Sequence, residues 1–295
     1  MKYYRYCNIW TWIIFAVIIT SCEKEIEIEF PKTEQQYVVD GWIEQGNYAK
    51  VIVTQSMPYV STIDSATYRD LVITKAKVVL TNGNASEILT LTRDTNYFPP
   101  YIYTGTQIQG KVGENYKLTI YIKKQSTKSG AIKKDTLQAQ TKIPKPPEII
   151  DIWTEQAKVK DSIVRLKLKF IDNPNKSDFY HLKIKESTQG SYINPYISIF
   201  SDKKFNGDSV SMPVFWGTKR QKAEDIYFYY NDTIDLKFCT MDKASFNFWQ
   251  GYQQEKVSAL NPFSTTNKNI QGNVTGGLGI WCGYGVTKYR IRIMP

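Results

Sequence analysis

Histidine is nearly absent from this chain, and its scarcity excludes several classes of site. Among 295 residues the only histidine is His181. A histidine-based catalytic triad has only this residue to use, and a structural zinc site needs four ligands, mostly nitrogen or sulfur. His181 alternates with Lys183 and Lys185 along a predicted strand, which predicts that its ring faces solvent. We therefore expect no histidine-dependent hydrolase and no zinc centre.

Cysteine is also scarce, with four residues in the sequence. Two of them, Cys7 and Cys22, lie near the N-terminus, which leaves Cys239 and Cys282 in the body of the chain. Two thiols in an oxidising compartment can form one disulfide. A free cysteine in apolar surroundings packs equally well as a small hydrophobic side chain, so the sequence leaves both alternatives open.

The chain has no apolar run of the length that a transmembrane helix requires, which is roughly 20 residues. Its most apolar segment, Ile9–Ile19, follows the basic residues Lys2 and Arg5 and is only about half that length. A basic start followed by a short apolar segment is typical of a secretory signal peptide. We therefore expect residues 1–21 to be a signal peptide that directs export.

Small residues and a cysteine end the apolar segment. Ile19-Thr20-Ser21-Cys22 resembles the bacterial lipobox, in which cleavage between Ser21 and Cys22 leaves an acylated cysteine as the new N-terminus. Several acyl chains on one residue hold a protein stably on a membrane, because each buried methylene adds about 0.8 kcal/mol. We predict a lipoprotein anchored in outer-membrane lipid through Cys22; the alternative is ordinary cleavage that leaves Cys22 free.

Four alternating glutamates follow the cysteine: Glu23, Glu25, Glu27 and Glu29. Like charges and the following Pro31 keep a segment extended, so we interpret residues 22–35 as an acidic tether. The same stretch resembles the export signal of surface-exposed lipoproteins in Bacteroidetes. Both interpretations are compatible, and they favour the cell exterior over the periplasm.

The balance of charge is basic, with a formal net charge of +10. The lysines are scattered, and the sequence shows no basic stripe, helix-turn-helix pattern or zinc-finger spacing, so we expect no nucleic-acid partner. A basic surface suits acidic neighbours such as lipopolysaccharide or acidic glycans, and it also favours solubility.

Residues 36–143 have the pattern of an immunoglobulin-like β-sandwich. Lys50–Thr54, Ala76–Leu80 and Tyr116–Ile120 are β-branched or alternating runs of strand length. Turn signals such as Asn82-Gly83 separate them at roughly ten-residue spacing, as such a sandwich requires. The fold class that we predict is mainly β.

A proline-rich linker at residues 144–148 is the predicted domain boundary, and residues 149–295 form the predicted second β-rich domain. Ile163–Phe170 alternates so regularly that Val164, Leu166, Leu168 and Phe170 are predicted to share a buried face. A similar pattern in Tyr180–Lys185 follows a turn, and we predict that the two strands form a hairpin.

One helix is predicted in this second domain, near residues 242–257. Asp242 can cap its first turn, and Phe246 and Trp249 lie on one side at a spacing of three. The turn Asp172–Asp178 offers oxygen ligands for calcium, but its third, fifth and sixth residues do not fit an EF-type loop. We interpret it as an ordinary turn.

Aromatic residues are abundant, and four of them are candidates for contact with a ligand or partner: Phe215, Trp216, Tyr227 and Tyr229. Tyrosine and tryptophan combine an apolar body with a polar edge, which suits stacking on sugars or an interface anchor. The alternative is packing in the core. Because adjacent aromatic residues point to both faces of a strand, we expect some of them to face outward.

Short motifs along nearly the whole exported chain resemble one known family. The motifs are Val39-Asp40-Gly41-Trp42-Ile43, the Ile143-Pro144 linker, Asn261-Pro262-Phe263-Ser264 and Gly276-Gly277-Leu278-Gly279-Ile280. They are similar to those of the Bacteroidetes lipoproteins grouped as domain of unknown function 4249. The resemblance implies an accessory role beside a TonB-dependent outer-membrane transporter, and it implies no catalytic residue.

These patterns together favour a non-enzymatic lipoprotein on the cell surface that helps a transporter to capture or admit a ligand. Nothing in the sequence singles out catalytic, cofactor-binding or metal-binding residues. The first alternative is a free-standing adhesion module that binds a glycan, a peptide or a host protein. The remote alternative is an unrecognised hydrolase, because a pair of catalytic carboxylates is defined only in three dimensions.

Overall fold

The computed structural model describes residues 35–57, 69–83, 85–125, 132–157, 163–187, 191–205, 209–216, 227–258 and 270–294. These residues are mainly β, which confirms the predicted fold class, and they contain one long α-helix. No helix among them is long and apolar enough to span a bilayer. The predicted signal peptide, the predicted acylation site at Cys22 and the predicted acidic tether up to Glu34 lie outside the described residues.

An eight-stranded sheet, the large sheet, runs through the molecule. Its strands in spatial order are β12 (Ile199–Ser201), β11 (Phe179–Glu186), β15 (Thr233–Met241), β16 (Leu278–Arg292), β1 (Tyr37–Glu44), β2 (Tyr48–Gln55), β6 (Tyr101–Gln109) and β5 (Thr90–Arg93). Strand β16 pairs in parallel with β1, whereas its other neighbour, β15, is antiparallel. The chain segments on the two sides of residues 144–148 thus contribute four strands each.

A second sheet covers the N-terminal half of the large sheet. It contains, in spatial order, β4 (Ala85–Ile88), β3 (Ala76–Asn82), β7 (Asn115–Gln125) and β8 (Ile132–Lys142). Alternate residues of β1, β2, β3 and β7 meet in the core between the two sheets. Trp281 of β16 is fully buried there and donates its indole N–H to the Tyr116 carbonyl at 3.0 Å. Gly41 leaves room for this ring, because a Cβ there would approach the Trp281 Cε3 to 2.8 Å.

A third sheet covers the C-terminal half of the large sheet. Strand β10 (Ile163–Ile171) pairs with β9 (Glu148–Gln156), β13 (Ser209–Val214) and β14 (Phe228–Tyr229). The predicted burial of Val164, Leu166, Leu168 and Phe170 is confirmed.

The predicted hairpin between β10 and β11 is wrong, because β11 pairs with β12 and β15 in the large sheet. The turn Asp172–Asp178 carries the chain from one sheet to the other, and the two apolar faces pack against each other. The Phe170 and Tyr180 rings meet edge to face with centroids 5.1 Å apart. Tyr180 donates its hydroxyl to Asp172 in this turn at 2.6 Å.

The helix α1 (Lys243–Ser258) lies against the face of the large sheet that points away from both sheet-to-sheet cores. We call this face the outer face. Asp242 caps the helix as predicted, since its Oδ1 accepts the Ser245 N–H at 2.8 Å. Phe246 and Trp249 of α1 pack over a small apolar cluster that includes Cys239, Cys282 and Tyr284.

Candidate functional site

A cavity of about 710 Å³ opens on the outer face beside α1. We call it the outer pocket. Its floor is formed by β1, β2, β11, β15 and β16, and its rim includes the segment Asp94–Phe98 before β6. Seven aromatic residues are among those that line it: Trp42, Tyr48, Tyr97, Phe98, Tyr192, Trp249 and Tyr284.

Strand alternation explains why polar residues face this pocket. In β1, Val39, Gly41 and Ile43 point into the core or against its tryptophan. The residues between them therefore point to the outer face. Asp40 and Glu44 consequently lie in the outer pocket, on either side of Trp42.

A buried ion pair lies at the bottom of the outer pocket. The Lys237 Nζ donates to both carboxylate oxygens of Glu44, at 2.8 and 3.1 Å, and the two side chains are only 12% and 10% exposed. Burial lowers the pKa of Lys237, but the neighbouring Glu44 outweighs it and holds the pKa above its usual value. Lys237 also lies over the Tyr192 ring, 4.5 Å from its centroid. This lysine is therefore a fixed cation.

Two further lysines lie on the strands next to Lys237. Lys183 of β11 and Lys288 of β16 are its direct cross-strand partners, so three ammonium groups form a row across the sheet. Among the described residues, neither Lys183 nor Lys288 has a carboxylate oxygen within 4.0 Å, the limit for an ion pair. Glu44 thus pairs with one lysine of the row, and the other two have no ion-pair partner, although Asp40 acts electrostatically on Lys183.

The next row of the same three strands has an acidic residue between two basic ones. There Asp235 of β15 lies between Lys185 and Arg290, and it pairs with both, at 3.6 Å and 2.9 Å. The hydrogen bond from Arg290 is the main reason why the pKa of Asp235 lies below its usual value. Opposite charges on neighbouring strands stabilise a sheet, and like charges destabilise it. The lysine row has no acidic residue in its middle position, whereas the Lys185–Asp235–Arg290 row has one.

The Asp40 side chain is exposed on the outer face and lines the outer pocket. Desolvation by the neighbouring protein raises the pKa of Asp40, and the nearby Lys183 opposes the rise. Its carboxylate accepts no hydrogen bond from any residue that the structure describes. Asp40 is therefore an acceptor that a ligand can use.

One wall of the outer pocket is aromatic. The Trp42 and Tyr97 rings lie 5.5 Å apart at an angle of 44°. Lys50 donates to the Tyr97 hydroxyl at 3.1 Å and lies 3.9 Å from Asp94, which fixes the position of the Tyr97 ring. The two rings present apolar surface beside the charged floor, an arrangement that suits a ligand with both characters.

His181 lies behind the outer pocket and is buried, so the prediction that its ring faces solvent is wrong. The ring is 1% exposed because α1 and β16 cover the outer face at this point. Its Nε2 is 3.0 Å from the Asn194 side-chain oxygen, and its Nδ1 is 3.5 Å from the Tyr284 hydroxyl. Burial, aided by Lys183, lowers the pKa of His181 well below its usual value, so the ring is neutral.

Cys239 and Cys282 are both buried free thiols on adjacent strands, which corresponds to the packing alternative and not to a disulfide. The Trp249 indole N–H lies 3.3 Å from the Cys282 Sγ. Burial raises the pKa of Cys239 to about 12 and that of Cys282 to about 11. These two side chains pack as small apolar groups beneath α1, and their thiols are poor nucleophiles.

A thiol reagent is therefore expected to leave Cys239 and Cys282 unmodified in the native protein. The raised pKa values lower the thiolate fraction near neutral pH by a factor of about 100 to 1,000. The measurement is a thiol count on the chain beginning at residue 23, with and without denaturant. We expect two reactive thiols only in denaturant, and fast labelling of the native chain would contradict the burial.

The four predicted contact aromatics lie away from the outer pocket. Trp216 packs against the C-terminal core and meets Phe228 edge to face, and Phe215 contacts Tyr196. Tyr227 lies beneath the Arg165 guanidinium, 5.8 Å from it. Tyr229 is 45% exposed and is the member of this group that faces outward. The described residues contain no cluster of three or more acidic, cysteine or histidine side chains able to hold a metal ion.

The sequence interpretation did not identify the residues of the outer pocket as a site. Its strongest available signal was charge on alternate positions of apolar strands, as at Asp40 and Glu44 in β1 and at Lys237 in β15. Acids and lysines at such positions are usually solvated, so the pattern alone does not mark a cavity.

A comparison with known proteins identifies one family. The family model described as "Domain of unknown function (DUF4249)" matches residues 23–290. No curated protein matches the chain.

Proposed function

We propose that this chain, which belongs to the DUF4249 family, is a lipid-anchored surface protein that captures a small ligand beside a TonB-dependent outer-membrane transporter. The outer pocket is the observation that carries ligand capture. It has a volume of about 710 Å³, aromatic walls and a charged floor. The Lys183 and Lys288 ammonium groups at this floor have no ion-pair partner among the described residues. Cavities of this size with a few convergent polar groups are typical of small-molecule sites.

The chemistry of the outer pocket supports binding over catalysis. The Lys237 ammonium is held by Glu44, and the thiols of Cys239 and Cys282 are buried with raised pKa values. The neutral His181 ring is buried, and its Nε2 lies within hydrogen-bond distance of Asn194. These four groups are held in unreactive states and supply no free nucleophile, which leaves Asp40 as a free carboxylate at the outer pocket.

The lipobox and the family resemblance support the anchor and the transporter. Lipid on Cys22 places the protein at the outer membrane, and the acidic tether of residues 22–35 supports exposure on the outside. A free-standing binding module is the second candidate, since the outer pocket needs no transporter to hold a ligand and the exposed Tyr229 offers a separate contact point. The two candidates differ in whether a barrel protein accompanies the chain.

Affinity purification of the lipidated protein from its own host, after mild cross-linking, tests the proposal. We expect an outer-membrane barrel protein to be recovered repeatedly. Cys22→Ala is expected to move the chain from the membrane fraction to the soluble fraction, because the acyl chains are the anchor, and recovery of the barrel should fall with it. Fractionation followed by immunoblotting measures the first effect.

Tyr289→Ala serves as the matched control in this experiment, since Tyr289 is an exposed residue far from the lipobox in sequence. It should leave both fractionation and barrel recovery unchanged. Membrane attachment that persists in Cys22→Ala would contradict the anchor. Repeated recovery of no barrel with the native lipoprotein would contradict the transporter and favour the free-standing module.

A further inference from the structure

We propose that the outer pocket recognises an acidic saccharide, a sugar ring that carries a carboxylate, with Lys183 and Lys288 binding the carboxylate and the Trp42–Tyr97 wall contacting the ring. This inference rests on the ligand capture proposed above and names the class of ligand. It does not depend on the transporter.

The lysine row supplies the first argument. Lys183, Lys237 and Lys288 are direct neighbours on three adjacent strands, where like charges destabilise a sheet. The row two residues further along, Lys185–Asp235–Arg290, shows that the same strands accommodate an acid in the middle position. The all-lysine row faces the outer pocket, whereas Lys185, Asp235 and Arg290 do not line it. An unfavourable charge arrangement confined to a cavity indicates binding of an anion.

The ion pair with Glu44 defines how much positive charge remains. Glu44 accepts two hydrogen bonds from Lys237 and one from the Asn47 side-chain amide, and it pairs with neither of the outer lysines of the row. The Lys183 ammonium lies over the Tyr284 ring, 4.9 Å from its centroid, and Lys288 is exposed at the pocket. A carboxylate between these two ammonium groups would gain charge-assisted hydrogen bonds in a partly enclosed site.

Asp40 argues against a simple inorganic anion. Its carboxylate is exposed in the same cavity and accepts no hydrogen bond from the described residues, so an anion without hydroxyl groups would lie near a like charge and donate nothing to it. The hydroxyl groups of a sugar can donate to Asp40. A ligand ammonium is less suitable there, because Lys183 is close enough to act on Asp40 electrostatically and would repel a second cation.

The aromatic wall completes the fit. Trp42 and Tyr97 offer two ring faces 5.5 Å apart, and the Lys50 hydrogen bond holds Tyr97 in place without a ligand. Sugar rings have apolar C–H faces that pack on such aromatic rings while their hydroxyl groups remain free for polar contacts. The three features together match a ring with hydroxyl groups and one carboxylate.

Isothermal titration of the lipidated protein in detergent tests this assignment with defined probes. The probes are a trisaccharide of galacturonate, a neutral trisaccharide of glucose, glutamate and inorganic phosphate. We expect the galacturonate trisaccharide to bind most tightly, and its affinity to fall as salt is added, because charge pairs are screened. The fluorescence of Trp42 and Trp249 at the pocket provides a second readout.

Lys183→Met is the informative variant, and Lys185→Met on the same strand is its matched control. We expect Lys183→Met to weaken galacturonate binding by about tenfold or more, and Lys185→Met to change it by less than about twofold. Lys183→Met removes like-charge repulsion, so thermal unfolding should show no loss of stability. Lys288→Met, at an exposed position, repeats the test if the first variant folds poorly.

Each contrary result identifies which part is wrong. If the neutral trisaccharide binds equally well and Lys183→Met has no effect, the proposal that the ligand carries a carboxylate is wrong. Glutamate or phosphate binding as tightly as galacturonate would reduce the site to an anion site and overturn the saccharide. Binding of none of the four probes would overturn the inference as a whole, whereas barrel recovery in the affinity purification would still support the transporter role.

Discussion

Glu44→Ala is expected to lower the free energy of unfolding by about 3–5 kcal/mol. The substitution removes the acceptor of both Lys237 hydrogen bonds and leaves a buried ammonium between Lys183 and Lys288. Because the Lys237 side chain is 12% exposed, water cannot replace the lost carboxylate fully. Urea denaturation followed by tryptophan fluorescence measures the loss.

Two further variants separate the ion pair from other effects of truncation. Adding Lys237→Met to Glu44→Ala should recover most of the lost stability, since the unpaired charge is then gone. Asp94→Asn removes the carboxylate that lies 3.9 Å from Lys50, in a pair whose side chains are 32% and 28% exposed, and it should cost no more than about 1 kcal/mol. A loss below about 1 kcal/mol in Glu44→Ala itself would show that Lys237 relaxes into solvent.

The sequence predicted which residues are buried more reliably than which strands pair. The period-two pattern of β10 identified Val164, Leu166, Leu168 and Phe170 as one buried face, because that inference needs only local geometry. The cap of α1 was also predicted correctly at Asp242, because the preference of aspartate for this position is a local property.

Strand pairing failed where the choice of partner depends on the whole fold. β10 and β11 follow each other with similar alternation, which made a hairpin the simplest prediction. In the structure β11 joins β15, a strand some 50 residues later, and packs face to face with β10 across the core. Alternation determines the face of a side chain but does not determine the sheet to which its strand belongs.

The outer pocket was not predicted for a related reason. Asp40, Lys183, Lys237 and Lys288 come from four strands that are far apart in sequence, and only the sheet order β11-β15-β16-β1 brings them together. Alternating lysines on β11 were interpreted as a solvated face. The interpretation of His181 as exposed was wrong because α1, from a later part of the chain, packs over that face.

The contribution of His181 to the stability of the protein is expected to fall as the pH drops below 6.5, by at most about 1.4 kcal/mol per pH unit. His181 is buried as a neutral ring, and its folded-state pKa is lowered by burial and by Lys183 and Lys237, although Asn194 opposes this. Below the unfolded-state pKa of 6.5, His181 binds a proton in the unfolded chain but stays neutral in the folded chain. The stabilisation is therefore complete above that pH and is lost as the pH falls through it. Denaturation at pH 7 and at pH 5 measures the effect, and the contribution of His181 should be smaller at pH 5.

His181→Gln isolates this effect, because the chain has no other histidine. The variant retains a polar side chain toward Asn194 and Tyr284 but cannot be protonated in this range, so its stability should change less with pH than that of the native chain. Asp40 acts in the opposite direction: its raised pKa destabilises the folded state as the pH rises through 3.8 and above. That contribution is present in both chains, so the difference between their pH profiles reports His181 alone. Parallel profiles would show that the folded protein accepts the proton on His181, and they would contradict a neutral histidine sealed beneath α1.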